Sequence, residues 1–157
     1  MAAQQPPIPA FYRHFFTIAD PLVAVWGAYM TLAYPDTVLD SFVPRTLSRR
    51  DPAQFVLFQQ LAAWPLGTAF LSIFLLRYTR DVGVWKIFQA SVLVVDVVLG
   101  YAIWDALGRQ GRRSFGALRP EDWGCIGITA VFGLMRSAFV LGIGLGRGKG
   151  RGKGRRA

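Results

Sequence analysis

The strongest constraint on this chain is the length of its uncharged segments. Residues 53–76 form a run of 24 positions that contains no Asp, Glu, Lys, Arg or His. An α-helix rises about 1.5 Å per residue, so roughly 20 apolar residues cross a hydrocarbon core about 30 Å thick. A run of this length and composition therefore predicts a transmembrane helix.

Three further segments have similar length and composition, at about residues 11–34, 84–104 and 123–146. Proline, glycine and charged residues mark the links between the segments. The sequence predicts an all-α integral membrane protein, a four-helix bundle over residues 11–146. A flexible N-terminus would precede it at residues 1–10, and a basic Gly/Arg/Lys tail would follow at residues 147–157. Because the link between spans two and three is short, these two helices are predicted to pack as an antiparallel hairpin.

The distribution of basic residues predicts the orientation. With both termini on the cytoplasmic side, ten of the 18 Lys and Arg residues lie inside, seven lie outside and Arg136 lies within the membrane. The positive-inside rule favours this arrangement, and we expect the protein in the endoplasmic reticulum. The tail predicts membrane lipids as partners and no nucleic acid, since each basic residue near an anionic surface contributes about 1 kcal/mol.

Asp20 and Arg136 are ionisable residues within predicted spans, where unpaired charges are costly. Asp20 precedes Pro21, a pair that is typical of a helix start. Both residues would lie about 14 Å from the terminal side of the membrane, at 1.5 Å per helical residue. The matched depth predicts an ion pair, with catalysis by either residue as the sharper alternative.

Asp96 lies near the middle of span three, and helical spacing places Gln89 and Gly100 close to its face. Gln60 of span two approaches the same depth and could form a hydrogen bond with Asp96. The structural interpretation is a protonated carboxyl group bound to the glutamine amide. The functional one is an acid that transfers a proton to a lipophilic substrate, with Gln60, Gln89 and Gly100 in the binding site.

Aromatic residues near mid-depth are candidates for a binding cavity. Trp26, Tyr29 and Trp64 would either pack in the core or line a cavity and stabilise a cationic intermediate. No dinucleotide loop, phosphate loop or metal-ligand cluster is present in the sequence, and His14 and Cys125 are single residues of their type. We therefore expect no cofactor and no metal.

Several segments carry a resemblance to a known family: FYRHFFTIADPLVAVWGAY at residues 11–29, LRYTRDVGVWK at 76–86, Asp96, and EDWGCIGITAVFGLMRSAFVLGIGL at 121–145. The chain resembles a family of small four-pass membrane proteins of filamentous fungi, largely without assigned function. That family has an acidic residue before the proline of span one, often glutamate, and an arginine in span four. These positions correspond to Asp20 and Arg136 here.

Two functions remain open from the sequence. The first is a membrane enzyme that isomerises or cyclises a terpenoid or sterol-like metabolite in a fungal biosynthetic pathway, with Asp20, Asp96 and Arg136 as catalytic residues. It is similar, at the level of fold alone, to four-pass sterol isomerases and multi-pass terpene cyclases. The alternative is a non-catalytic lipid- or sterol-binding protein, or an accessory subunit of a membrane enzyme.

The orientation gives a first prediction. A glycosylation reporter fused after Ala157 should stay unglycosylated, because the basic residues around both termini favour the cytoplasmic side. Glycosylation of that reporter in the lumen would show that the orientation is reversed.

Overall fold

The computed structural model describes residues 8–146, which form helices joined by turns and links and contain no strand. The predicted basic tail and all but the last three residues of the predicted N-terminal segment lie outside this range. Five helices follow one another: α1 (Ala10–Ala33), α2 (Pro35–Phe42), α3 (Pro52–Tyr78), α4 (Val82–Arg109) and α5 (Pro120–Val140). All except α2 are long and apolar enough to cross a membrane, which confirms the all-α, four-span prediction.

Helix α1 runs through Asp20 without a break. Asp20 has helical dihedral angles, φ −59° and ψ −53°, so the interpretation of this residue as a helix start is wrong. The turn before it, Phe15–Ala19, is π-helical. Pro21 has no N–H group, so it cannot donate the usual helical hydrogen bond to the carbonyl of Thr17, four residues earlier. The Arg77 guanidinium of α3 donates a hydrogen bond to that carbonyl, at 3.2 Å, and so provides a donor where the helix lacks one.

The four long helices form two closely packed pairs, α1 with α3 and α4 with α5. The buried side chains over residues 28–31 of α1 and 62–72 of α3 are all small, namely Ala28, Thr31, Ala62, Ala69 and Ser72, and we infer that they form the contact between these two helices. Small residues let helix backbones approach closely in membranes, where packing rather than the hydrophobic effect drives association. The prediction that α3 packs mainly against α4 is therefore wrong. The short link brings together only the adjoining ends of these helices, whereas the small-residue face decides which neighbour packs along the full length.

An aromatic core closes the end of the bundle that carries both termini. Tyr12 and Phe16 of α1 lie with their ring centroids 5.0 and 5.4 Å from that of Phe139 in α5. Trp85 of α4 lies against the same ring at 6.1 Å. The Tyr12 hydroxyl also donates a hydrogen bond to the Ile143 carbonyl, at 2.9 Å. Large side chains therefore connect the two helix pairs at this end.

Ion pairs organise the opposite end of the bundle. Asp122, at the start of α5, is 2% exposed and pairs with Arg112 at 2.5 Å and with Arg119 at 3.3 Å. Arg119 also donates a hydrogen bond to the Asp40 carbonyl of α2, at 2.6 Å. On the outer surface of this end, the hydrogen bond from Arg50 lowers the pKa of Asp36. The links between the helices are thus fixed by charge pairs at or beyond the ends of the spans.

The close packing of α1 and α3 yields a prediction about stability. Ala62→Leu should lower the unfolding temperature, because Ala62 is 1% exposed and overpacking a close helix contact costs about 1–3 kcal/mol. Ala63→Leu is the matched control, since the neighbouring Ala63 is exposed. Thermal unfolding of the purified protein in detergent measures both. Equal unfolding temperatures of the two variants would contradict the small-residue interface.

Candidate functional site

The centre of the bundle contains a charge cluster of three side chains, Asp20, Asp96 and Arg136, one from each of α1, α4 and α5. Arg136 Nη2 lies 2.5 Å from Asp20 Oδ1, and Arg136 Nη1 lies 2.5 Å from Asp96 Oδ2. The planar guanidinium has its donors in a fork, so its two terminal nitrogens can each bind a different carboxylate. One arginine thereby joins three helices by charge-assisted hydrogen bonds.

Burial strengthens these contacts. Arg136 is 5% exposed and Asp20 is 7% exposed, while Asp96 is partly buried. Phe132, one turn from Arg136, places its ring centroid 5.6 Å from the guanidinium carbon. Gly133 faces Asp96 across the contact of α4 and α5, where an added Cβ would lie 3.7 Å from the Asp96 Cβ. The cluster therefore lies between the Phe132 ring and the backbone of α5 at Gly133.

The predicted contact of Asp20 with Arg136 is confirmed. The predicted hydrogen bond of Asp96 with Gln60 is wrong, because Gln60 is exposed and Asp96 binds Arg136 instead. Depth along a span can be counted from the sequence, but the direction of a side chain around the helix axis cannot be fixed without knowing the helix pairs. The catalytic roles of Asp20, Asp96 and Arg136 stay predictions.

The predicted binding residues separate into three groups. Trp26, Tyr29 and Trp64 are 63%, 48% and 51% exposed and lie on the outer surface of the bundle, so the core interpretation of these rings is wrong. Their place in a binding cavity stays a prediction. Gln89 is fully buried in α4, and its side-chain amide makes no hydrogen bond within residues 8–146. Gly100 does line a cavity.

That cavity has a volume of about 430 Å³ and lies between the second half of α4 and the first half of α5. Its walls are almost wholly apolar, with one arginine and one hydroxyl among them. The residues that line it include Gly100, Ile103, Trp104, Arg113, Trp123 and Thr129. Gly100 lies nine residues before the end of α4, so the cavity reaches about 14 Å along the helix from that end.

The deep end of the cavity approaches the charge cluster. Gly100 lies four residues after Asp96 in α4, and Thr129 lies four residues before Gly133 in α5. Four helical residues correspond to about one turn, or about 6 Å. The cavity and the charge cluster therefore occupy consecutive levels of the same helix pair.

Sequence reasoning missed most of this cavity. Neither Trp104 nor Trp123 was among the predicted binding residues, and Arg113 was counted only among the basic residues that predict the orientation. A signal was present in the link 110–119, where Phe115 and Leu118 are two large apolar residues among charged, polar and small ones. Phe115 stacks on Trp123 with ring centroids 5.8 Å apart and helps to line the cavity.

The potential metal ligands of the described residues can be located one by one. Residues 8–146 contain no group of three or more His, Cys, Asp or Glu side chains placed to hold a metal ion. His14 is exposed, with Nδ1 2.7 Å from the Ala10 carbonyl oxygen. The Cys125 thiol lies 3.7 Å from the Ser41 carbonyl oxygen. These two side chains have local partners of their own.

The helices and the charge cluster define a class, that of small membrane proteins with four spans, three of which are joined by an Asp–Arg–Asp contact. Within it, the chain belongs to the family described as "Domain of unknown function (DUF7704)", whose profile matches residues 6–146. No curated protein and no solved structure matches the chain. The family match thus covers every described helix and both parts of the site.

The charge cluster generates a second prediction about stability. Arg136→Gln should destabilise the protein by about 3–5 kcal/mol, because it leaves two buried carboxylates without their partner. Asp20→Asn should be milder, since the Arg136–Asp96 pair remains. The double variant Asp20→Asn, Arg136→Gln should lose less stability than the sum of the two single variants. Chemical unfolding in detergent measures the cycle, and simple additivity would contradict energetic coupling between Asp20 and Arg136.

Proposed function

We propose that this protein binds a lipophilic molecule in the cavity between α4 and α5. The observation that carries the proposal is the cavity itself, whose volume lies within the range of about 300–1,000 Å³ found for small-molecule sites. The space opens to the outside of the bundle, where the lining rings of Trp104, Phe115 and Trp123 are exposed. A space of this size with apolar walls fits a hydrocarbon chain or ring system better than it fits water.

The surroundings of the cavity support an amphipathic ligand. Trp104 and Trp123 lie near the ends of their spans, and indole rings favour the interface between hydrocarbon and head groups. Gly100 and Thr129 lie deeper, where the wall would meet the apolar part of a ligand. A molecule that enters from the bilayer could therefore keep its polar end near the surface and bury the rest.

Orientation and location form part of the proposal. We place both termini on the cytoplasmic face of the endoplasmic reticulum membrane, with the mouth of the cavity on the opposite face. The charge distribution supports this placement, because six of the nine acidic residues lie on the side opposite the termini, and four of them pair there with arginines. Those acids are Asp36, Asp40, Asp51, Asp105, Glu121 and Asp122. The terminal side is left with ten basic residues and only Asp81 as an acid.

A second function is favoured by the position of Asp96. Its carboxyl group lies about one helical turn beyond the deep end of the cavity, and Arg136 contacts its Oδ2. A bound terpenoid or sterol-like molecule that extends one turn further would meet this carboxyl group, which could exchange a proton during isomerisation or cyclisation. Arg136 would hold the carboxyl in position. A role as an accessory subunit that presents its ligand to a partner enzyme is compatible with the same cavity.

The binding proposal predicts the effect of filling the cavity. A Cβ built on Gly100 meets no heavy atom within 4 Å, so Gly100→Leu should place its side chain in the cavity without disturbing the fold. Saturable labelling by a photoactivatable long-chain alcohol should then fall at least ten-fold. Gly127→Leu is the matched control on α5, since Gly127 also has open space around it but does not line the cavity.

Labelling that never saturates in the unmodified protein, or that persists unchanged in Gly100→Leu, would contradict the proposed binding site. The unfolding temperature of each variant shows whether lost labelling reflects a filled cavity or a damaged fold.

The enzymatic function makes a separate prediction. Asp96→Asn should abolish conversion of a lipophilic substrate while saturable cavity labelling persists, because asparagine keeps the shape of aspartate but cannot exchange a proton. Binding and turnover are followed on the same preparation by labelling and by mass spectrometry of the extracted lipids. Full conversion by the folded Asp96→Asn variant would exclude Asp96 as the acid, and Asp20 would become the leading candidate.

A further inference from the structure

Arg113 differs from the other arginines beside the cavity. It lines the mouth of the cavity, whereas Arg109 pairs with Asp105 at 2.7 Å and Arg112 pairs with Asp122 at 2.5 Å. Within residues 8–146, Arg113 makes no ion pair. Its one hydrogen bond to the protein runs from Nε to the Trp104 carbonyl, at 3.4 Å. A guanidinium has five N–H donors, so most of its hydrogen-bonding capacity is open to a ligand.

The Arg113 side chain is held in place without a carboxylate. Its guanidinium carbon lies 4.6 Å from the centroid of the Trp104 ring, an arrangement that stabilises a cation. Gly108 makes this position possible, because a Cβ at residue 108 would overlap the guanidinium. The charged group therefore rests on the surface of α4 between Gly108 and Trp104, at the rim of an apolar cavity.

We propose, on the basis of the proposed binding function, that the cavity takes a single-chain lipophilic carboxylate whose head group binds Arg113. The guanidinium fork matches the two oxygens of a carboxylate, and charge-assisted contacts of this kind are about twice as strong as neutral hydrogen bonds. The apolar walls from Trp104 to Gly100 would cover the chain. We take a single-chain ligand because the cavity holds about 430 Å³, whereas a phospholipid brings two chains.

The depth of the groups agrees with this ligand. Arg113 belongs to the link 110–119 outside the spans, where a carboxylate can stay ionised at the membrane surface. Since the guanidinium lies at the level of Trp104 and Gly108, the apolar wall then continues about 6–12 Å along α4 to Gly100. In a molecule with a charged end and an apolar chain, the charged end would meet Arg113 and the chain would meet the apolar wall.

The test compares two photoactivatable probes with the same long chain, a fatty acid and a fatty alcohol, on the purified full-length protein in detergent. The acid should half-saturate labelling at a concentration at least ten-fold lower than the alcohol. In Arg113→Gln the two concentrations should become equal. Arg109→Gln is the matched control and should keep the preference, because Arg109 is already paired with Asp105 and does not line the cavity.

A second variant protects the test against misfolding of Arg113→Gln. Gly108→Ala keeps the arginine but displaces its guanidinium, so it should also reduce the preference for the acid. An unchanged preference in both variants, or equal binding of acid and alcohol by the unmodified protein, would overturn the inference and leave the proposed cavity binding intact. Labelling that never saturates with either probe would instead contradict the proposed function.

Competition separates a free carboxylate from a bilayer lipid. Unlabelled fatty acid should displace the acid probe, and phosphatidic acid presented in nanodiscs should not. Displacement by phosphatidic acid but not by fatty acid would overturn the single-chain carboxylate and identify a phospholipid phosphate as the group that binds Arg113.

Discussion

The need to neutralise Arg136 within a membrane determines how this bundle is assembled. A guanidinium at this depth is costly unless carboxylates approach it, and here they come from two other helices, through Asp20 and Asp96. The arginine thus connects the two closely packed pairs, α1 with α3 and α4 with α5. Small residues hold the first pair together, so α3 is joined to the charge cluster through α1. Arg136 therefore contacts two other spans directly, and the fourth span, α3, packs against one of these.

The irregular start of α1 follows from the same requirement. Asp20 must lie inside the helix at the level of Arg136, although Pro21 immediately follows it. A proline within a helix removes a backbone donor, and single π-helical turns, which are rare, occur frequently at functional sites. The turn Phe15–Ala19 stands directly before Asp20, and Arg77 binds the Thr17 carbonyl that Pro21 leaves without its usual donor. The backbone irregularity and the ion pair thus occupy neighbouring positions in one element.

The sequence predicted the fold class, the four spans and the contact of Asp20 with Arg136, because span length and depth can be counted along the chain. It did not predict which spans pair, since that depends on where small residues such as Ala62 and Ala69 point around the helix axis. The same limit explains why Trp26 and Trp64, expected in the core or a cavity, face outward. Arg113 escaped notice because its role depends on a link that folds back onto α4 at Gly108, a contact with no periodic signal.

The position of the cavity has a physical explanation in the two ion pairs above and below it. At the deep end, Asp96 and Arg136 fix α4 against α5, and at the membrane surface Arg112 of the link after α4 pairs with Asp122 of α5. Between these levels Gly100, Thr129 and Ala130 contribute little side-chain volume to the helix contact. A space left by small residues usually shrinks as its neighbours relax into it. Two charge contacts that hold the helices at both ends oppose that relaxation, so the structure that neutralises Arg136 also helps to keep the space open.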